Sequence, residues 1–176
     1  MKHSTFLFGL LAAILSLLSV QTAQAGFKLT AKSATSSFTT TWESNVIGNI
    51  IDDNLNTKFW AWGNQTSDSY VQVEFEDSEL IETVKLYFSA GDQPNGATIS
   101  YSTDGSNWTP AKTFTSTEIT GPNYLYTCNI DNTPSAKYVR LTLTSPDTGK
   151  WFQLNEFEVY GPEINLTDII PIRRIL

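Results

Sequence analysis

Beyond residue 25 the chain alternates between apolar and polar positions. Tyr70-Val-Gln-Val-Glu-Phe-Glu76 sets Val71, Val73 and Phe75 on one side and polar side chains on the other. Thr83–Phe88 does the same with Val84, Leu86 and Phe88, and Lys137–Thr144 with Val139, Leu141 and Leu143. Ala97–Ser102 and Tyr124–Ile130 alternate as well, and Trp151–Tyr160 contributes Phe152, Leu154, Phe157 and Val159. A period of two belongs to a strand with one buried face, and no window after residue 25 carries the period of an amphipathic helix. Asp104-Gly105 lies between two such runs and predicts a hairpin, because Gly105 takes a positive φ without a Cβ clash. Gly91–Gly96, Gly121-Pro122 and Ser145–Gly149 read as further loops. Short strands at this spacing predict an all-β protein, a β-sandwich or jelly roll whose two sheets share these Val, Leu, Ile and Phe side chains.

The ends depart from this pattern. Lys2 and His3 precede an apolar run, Phe6–Val20, and then Ala23-Gln24-Ala25. That order predicts a signal peptide over residues 1–25, cleaved near Ala25, and a secreted, periplasmic or cell-surface product. The run is short for a membrane span, and no Cys directly follows the cleavage site to take a lipid. About 150 residues remain, one domain's worth. Residues 26–34 are expected as a leader, or the start of a first edge strand centred on Ser36–Thr41. Residues 35–161 are expected as the domain, and residues 162–176 as a tail, either a frayed end or the stub of a longer protein.

Charge and composition narrow the chemistry. Loss of Lys2 leaves 10 basic against 18 acidic residues, a net charge of −8. Such a surface disfavours nucleic acid and anionic membrane as partners. Nothing in it sets an oligomeric state. The single His is His3, so after cleavage no Ser-His, Cys-His or His-metal mechanism is open. Cys128 has no partner for an internal disulfide and reads as a small buried strand residue.

Asn49-Ile-Ile-Asp-Asp-Asn-Leu-Asn-Thr-Lys-Phe-Trp-Ala-Trp62 concentrates the candidate chemistry. Asp52, Asn54 and Thr57 offer hard oxygen ligands on one tight loop, as Ca²⁺ requires. Trp60 and Trp62 offer flat faces for the C–H side of a sugar, and Asn64 and Gln65 offer amides for its hydroxyls. Glycan binding, with calcium holding the loop, is the expected function.

Five fragments in order carry a family resemblance: Asp52-x-Asn-Leu-Asn-Thr57-x-Phe59, Tyr70-Val-Gln-Val, Ser102-Thr-Asp-Gly-Ser-Asn-Trp108, Tyr138-Val-Arg-Leu141 and Glu156-Phe-Glu-Val-Tyr-Gly161. Together they resemble the coagulation factor 5/8 type C, or discoidin, domain, and among its branches bacterial carbohydrate-binding modules of family 32. The resemblance implies a jelly roll of about eight antiparallel strands, one structural calcium and a sugar site on rim loops. It implies metal ligands at Asn49, Asp52, Asn54 and Thr57 and, near the C-terminus, Asn155 and Glu156. Asp53 stands where the family usually has Gly, which distorts the turn or turns a charge to solvent. The His-based sugar site of many such modules is absent. The segment Phe59–Gln65 is similar to a variant in modules attached to hexosaminidase-type enzymes. Stacking is expected from Trp60 and Trp62, at least one of which is core if the loop folds inward, with hydroxyl recognition by Asn64 and Gln65, lesser contacts from Gln93 and Asn95, and Trp151 either walling the site or packed in the core. Phe59 takes the place of a core Trp. Trp108 is expected beneath its hairpin and Trp42 in the first strand.

Two other classes compete. A discoidin-type protein- or lipid-binding adhesin would need apolar spikes set among basic residues, and the Trp60–Trp62 loop has only Lys58. A glycosidase needs two carboxylates. Glu74 with Glu76, and Glu156 with Glu158, share faces of strands, but outward acids on alternating strands are ordinarily solvated. A targeting fragment of a larger glycoside hydrolase is compatible with the non-catalytic reading.

Overall fold

The computed structural model describes residues 26–163. The expected signal segment and nearly all of the expected tail lie outside the described residues. Nine strands follow in chain order. They are β1 (Ser33–Ser36), β2 (Phe59–Trp60), β3 (Tyr70–Leu80), β4 (Thr83–Phe88) and β5 (Gly96–Ser102), then β6 (Thr109–Thr115), β7 (Leu125–Asn129), β8 (Ser135–Ser145) and β9 (Gln153–Tyr160). The ninth, relative to the expected count, is β2, too short to alternate visibly.

One sheet has the order β1-β3-β8-β5-β6 and the other β2-β9-β4-β7. Every pairing is antiparallel. Between the sheets lie the side chains that the alternation singles out: Val71, Val73, Phe75, Val84, Leu86, Phe88, Val139, Leu141, Leu143, Phe152, Leu154, Phe157 and Val159 are all buried. Cys128 joins them at 3% exposure, and burial pushes its thiol up to about 11. β6 is an edge strand with only Phe114 buried, which is where Pro110, lacking an N–H, is tolerated.

Two local expectations are corrected. Residues 26–34 are not a leader. The Leu29 amide donates to the Val159 carbonyl at 2.8 Å, Leu29 is buried, and a Cβ on Gly26 would sit 1.6 Å from the Gly161 oxygen. The first strand also starts earlier than expected, with Ser33–Ser36 paired to Glu74–Val71. Ser and Thr there alternate too weakly in hydropathy to mark it. The predicted hairpin forms between β5 and β6, with Gly105 at φ 74°. Trp108 donates its indole N–H to the Gly105 carbonyl at 3.2 Å, and Arg140 stacks on its ring at 3.8 Å.

β9 holds the feature that positions the site. Phe152 and Leu154 face the core, and so do Phe157 and Val159, so the parity changes between them. The change is a β-bulge: Leu154 opposes Phe88 and Glu156 opposes Tyr87, leaving Asn155 as the extra residue. Asn155 and Glu156 are thereby both aimed at the outer side of the four-stranded sheet.

Candidate functional site

The loop after Asn49 lies over this bulge. A short 3-10 turn, Ile47–Ile51, buries Ile50 and leads into it. Asp53 then takes φ 61°, the left-handed conformation that explains the usual Gly there. Its carboxylate faces solvent, 75% exposed, and pairs there with Lys28, which also holds Glu158 at 3.0 Å. The turn therefore keeps its shape, with the extra charge neutralised from the N-terminal segment. Asn49 donates its amide to the Lys58 carbonyl at 2.8 Å, closing the loop at its base.

Inside the loop, oxygens converge on Thr57. The Thr57 hydroxyl lies 2.9 and 2.7 Å from the two oxygens of Asp52 and 2.7 Å from the Asn54 carbonyl. It has one hydrogen for the three, beside the Asn54 amide that donates to Asp52 and the Thr57 amide that donates to the Asn54 carbonyl, each at 3.0 Å. Glu156 stands on the same side, 1% exposed because the loop covers it. One of its oxygens accepts from the Asn54 amide at 2.8 Å, and Oε2 is buried without a partner. Burial, with the Asp52 carboxylate nearby, pushes Glu156 up to about 7. Two converging carboxylates and an orphaned Oε2 fit a hard cation. Among the described residues no group of three His, Cys, Asp or Glu could hold a metal, so carbonyl and hydroxyl oxygens would supply the rest of its shell. The Asn155 side chain serves the loop itself. It donates to the Leu55 and Thr57 carbonyls at 2.9 and 3.1 Å and accepts from Ser89 at 2.7 Å. The expectation that outward acids on β9 are solvated fails at Glu156 for the same reason that it fits a metal: the loop has displaced water from it.

At the rim, Trp42, Trp60, Trp62 and Trp151 form one cluster. Trp42 and Trp62 stack with centroids 4.2 Å apart and an interplanar angle of 4°. Trp151 is tilted against Trp62 at 4.8 Å, Trp42 at 5.6 Å and Trp60 at 5.7 Å. Trp62 is 49% exposed, while Trp60 is half-buried with its indole N–H unpartnered. Phe59 is core, at 0% exposure. Trp42 is the residue that sequence reasoning missed. Its amide donates to the Trp60 carbonyl at 2.9 Å, and Thr41 bridges Ala61, so it belongs to the rim and not to the first strand.

Gln65 does not read hydroxyls. It is 2% exposed and spent on the backbone, donating to the Asp92 and Trp151 carbonyls at 3.2 Å each and accepting from the Asp147 amide at 3.0 Å. It ties together the loops at Asp92, Asp147 and Trp151 that border the cluster. Asn64, two positions after Trp62, is exposed. Gln93 is half-buried with Oε1 unpartnered. Asn95 is exposed, and its carbonyl caps Ser116 at 3.0 Å.

Residues 30–157 match the F5/8 type C domain, and the chain belongs to that family. No curated protein matches it. Among solved structures it is similar to chitosan-binding module 1 of a chitosanase/glucanase from Paenibacillus sp. IK-5, at 26% identity and a TM-score of 0.63, covering 78% of this chain and 100% of that one. Module 2 of the same enzyme, solved with chitotriose, is 25% identical with a TM-score of 0.62 over 76% of this chain and 98% of that one. The family 32 module of AlyQ, in complex with 4,5-unsaturated mannuronic acid, shares the fold at 23% identity and a TM-score of 0.62, over 76% of this chain and 98% of that one.

Proposed function

We propose that the chain is a non-catalytic glycan-binding module, stabilised by calcium, that recognises a terminal hexose or N-acetylhexosamine outside the cell. The observation that carries this reading is the tryptophan cluster, with Trp62 half open to solvent and exposed Asn64 two positions along the chain. A sugar packs its C–H face on such a ring and bonds its hydroxyls to a neighbouring amide. The similarity to modules solved with chitotriose and with an unsaturated mannuronic acid supports a glycan as the partner. The site is shallow, and its polar contacts replace contacts to water at small net gain, so a single sugar binds weakly. Asp52, Asn54, Thr57 and Glu156, with the Asn49 and Asn155 carbonyls, would hold the calcium, which would supply the positive charge these oxygens lack. The residues themselves join the loop to β9, as the Asn54–Glu156 hydrogen bond already does. A glycan array on the chain from Gly26, with and without chelator, tests the reading. Binding to a defined set of terminal sugars, lost in Trp62→Ala, is expected. An empty array in calcium overturns it.

A further inference from the structure

The outer side of the four-stranded sheet carries a groove of about 400 Å³, within the roughly 300–1,000 Å³ of small-molecule sites. Leu55 and Lys58 form one bank, Asn123 and Tyr124 the other, and Gln153 and Asn155 of β9 the floor. None of the four clustered tryptophans lines it, yet the groove adjoins them at Trp60. Lys58 Nζ lies 4.6 Å over the Trp60 ring, and Gln153 is the register partner of Trp60.

Three features of the groove call for a hydroxyl-rich ligand. Gln153 is 4% exposed, its Nε2 is spent on Asp92, and its Oε1 is buried without a donor. A buried acceptor in that state is costly, and a ligand hydroxyl satisfies it. Lys58 has no carboxylate partner among the described residues, so its remaining protons are available to ring or hydroxyl oxygens. Leu55 and Tyr124 are 40% and 45% exposed, apolar banks where a sugar ring packs. Asn123 and Tyr124 sit at φ 58° and 50°. Two successive left-handed non-glycine residues are a strained arrangement of the kind found at ligand clamps, and here it presents Tyr124 to the groove.

We propose that this groove is a second sugar subsite, and that the chain binds an oligosaccharide running from Trp62 past Trp60 to Gln153. This deepens the glycan reading and rests on it. The Trp62 end alone holds one sugar, and the groove adds the next ones along the chain.

The test is calorimetric titration of N-acetylglucosamine against chitotriose, and of mannuronic acid against trimannuronate. The proteins are wild type, Trp62→Ala, Tyr124→Ala, Leu55→Ala and Gln153→Met. At least one trisaccharide should bind tenfold or more tightly than its own monosaccharide. Tyr124→Ala and Gln153→Met should erase that gain and leave the monosaccharide Kd unchanged, whereas Trp62→Ala should weaken both. Tyr124 and Leu55 are exposed, so their variants carry the test if Gln153→Met fails to fold. Equal Kd values for mono- and trisaccharide, or a gain that survives in both Tyr124→Ala and Leu55→Ala, overturns the subsite and leaves the Trp62 site standing. No binding of any of these sugars to wild type overturns the subsite and counts against the glycan reading beneath it.

Discussion

Trp42 and Trp62 lie face to face, 4.2 Å between centroids and 4° from parallel. Their stacking makes Trp62 a rigid surface although half of it is in solvent. The ring proposed to meet a sugar is thus backed by a second ring from a different loop.

Trp62→Ala should weaken glycan binding by about tenfold, since aromatic contacts contribute about 0.5–1.5 kcal/mol beyond burial and 1.4 kcal/mol is a factor of ten. Trp42→Ala should weaken it less, through loss of the backing ring. Both variants should keep the far-ultraviolet spectrum of wild type. Titration checks the first claim, and wild-type affinity in Trp62→Ala would move the site elsewhere.

Gln65→Ala should destabilise the fold. It removes three buried hydrogen bonds and leaves the Asp147 amide and two carbonyls without this partner. Each such group costs about 1–3 kcal/mol when water cannot replace it. The melting temperature should fall by several degrees, and binding should weaken because the loops bordering the tryptophans lose their tie. An unchanged melting curve would show that water takes over the role of the amide.

Calcium should raise the melting temperature of wild type, and chelator should reverse the rise. Glu156→Gln separates the metal from the fold. It keeps the acceptor for the Asn54 amide and removes a buried charge. In chelator it should melt at or above wild type, and calcium should add nothing. Asp52→Ala should also lose the calcium response. Identical wild-type curves in calcium and in chelator exclude the structural ion.

Asp104 shapes the β5–β6 hairpin, accepting from the Ser106 and Asn107 amides at 2.8 Å each and from the Asn107 side chain at 2.7 Å. These bonds hold its carboxyl well below the usual 3.8. A lowered value means that the contribution is complete above the unfolded-state value and is lost as pH falls below it. Asp104→Asn should therefore melt below wild type at pH 5–8, and the gap should narrow below about pH 4. A gap independent of pH would show that the charge is not what holds the turn.

Cys128 should resist thiol reagents in the folded protein at pH 8, because it is buried and its thiol is pushed up to about 11. Labelling should follow unfolding in denaturant. Rapid labelling of the native protein would mean that β7 opens locally.

The sandwich was legible because its strands are half-buried, which forces the alternation that marks them. β1 and β2 escaped for opposite reasons. β1 is an edge strand of Ser, Ala and Thr with little hydropathy contrast, and β2 is two residues long. The loop after Asn49 was legible as an ordered set of oxygen donors, but the burial of Glu156 was not, since it depends on a loop folding over the strand. Its one trace in the sequence is the parity change from Leu154 to Phe157. Gln65 and Trp42 exchanged roles for a related reason. An amide and an indole carry no sign in sequence of whether they face water, and only the packing of distant loops decides it.

β9 lies between β2 and β4 and bonds through Tyr160 to Lys28 at the start of the described chain. The last of the described strands is thus an interior strand of its sheet. An emerging chain cannot close that sheet until residue 160 is free, because β2 and β4 each pair with β9 and not with one another. Folding of this sheet must wait for β9 and then bring together segments more than one hundred residues apart, as the Asn54–Glu156 bond does. A chain ending before Gln153 should be a substrate for proteolysis and not a smaller domain.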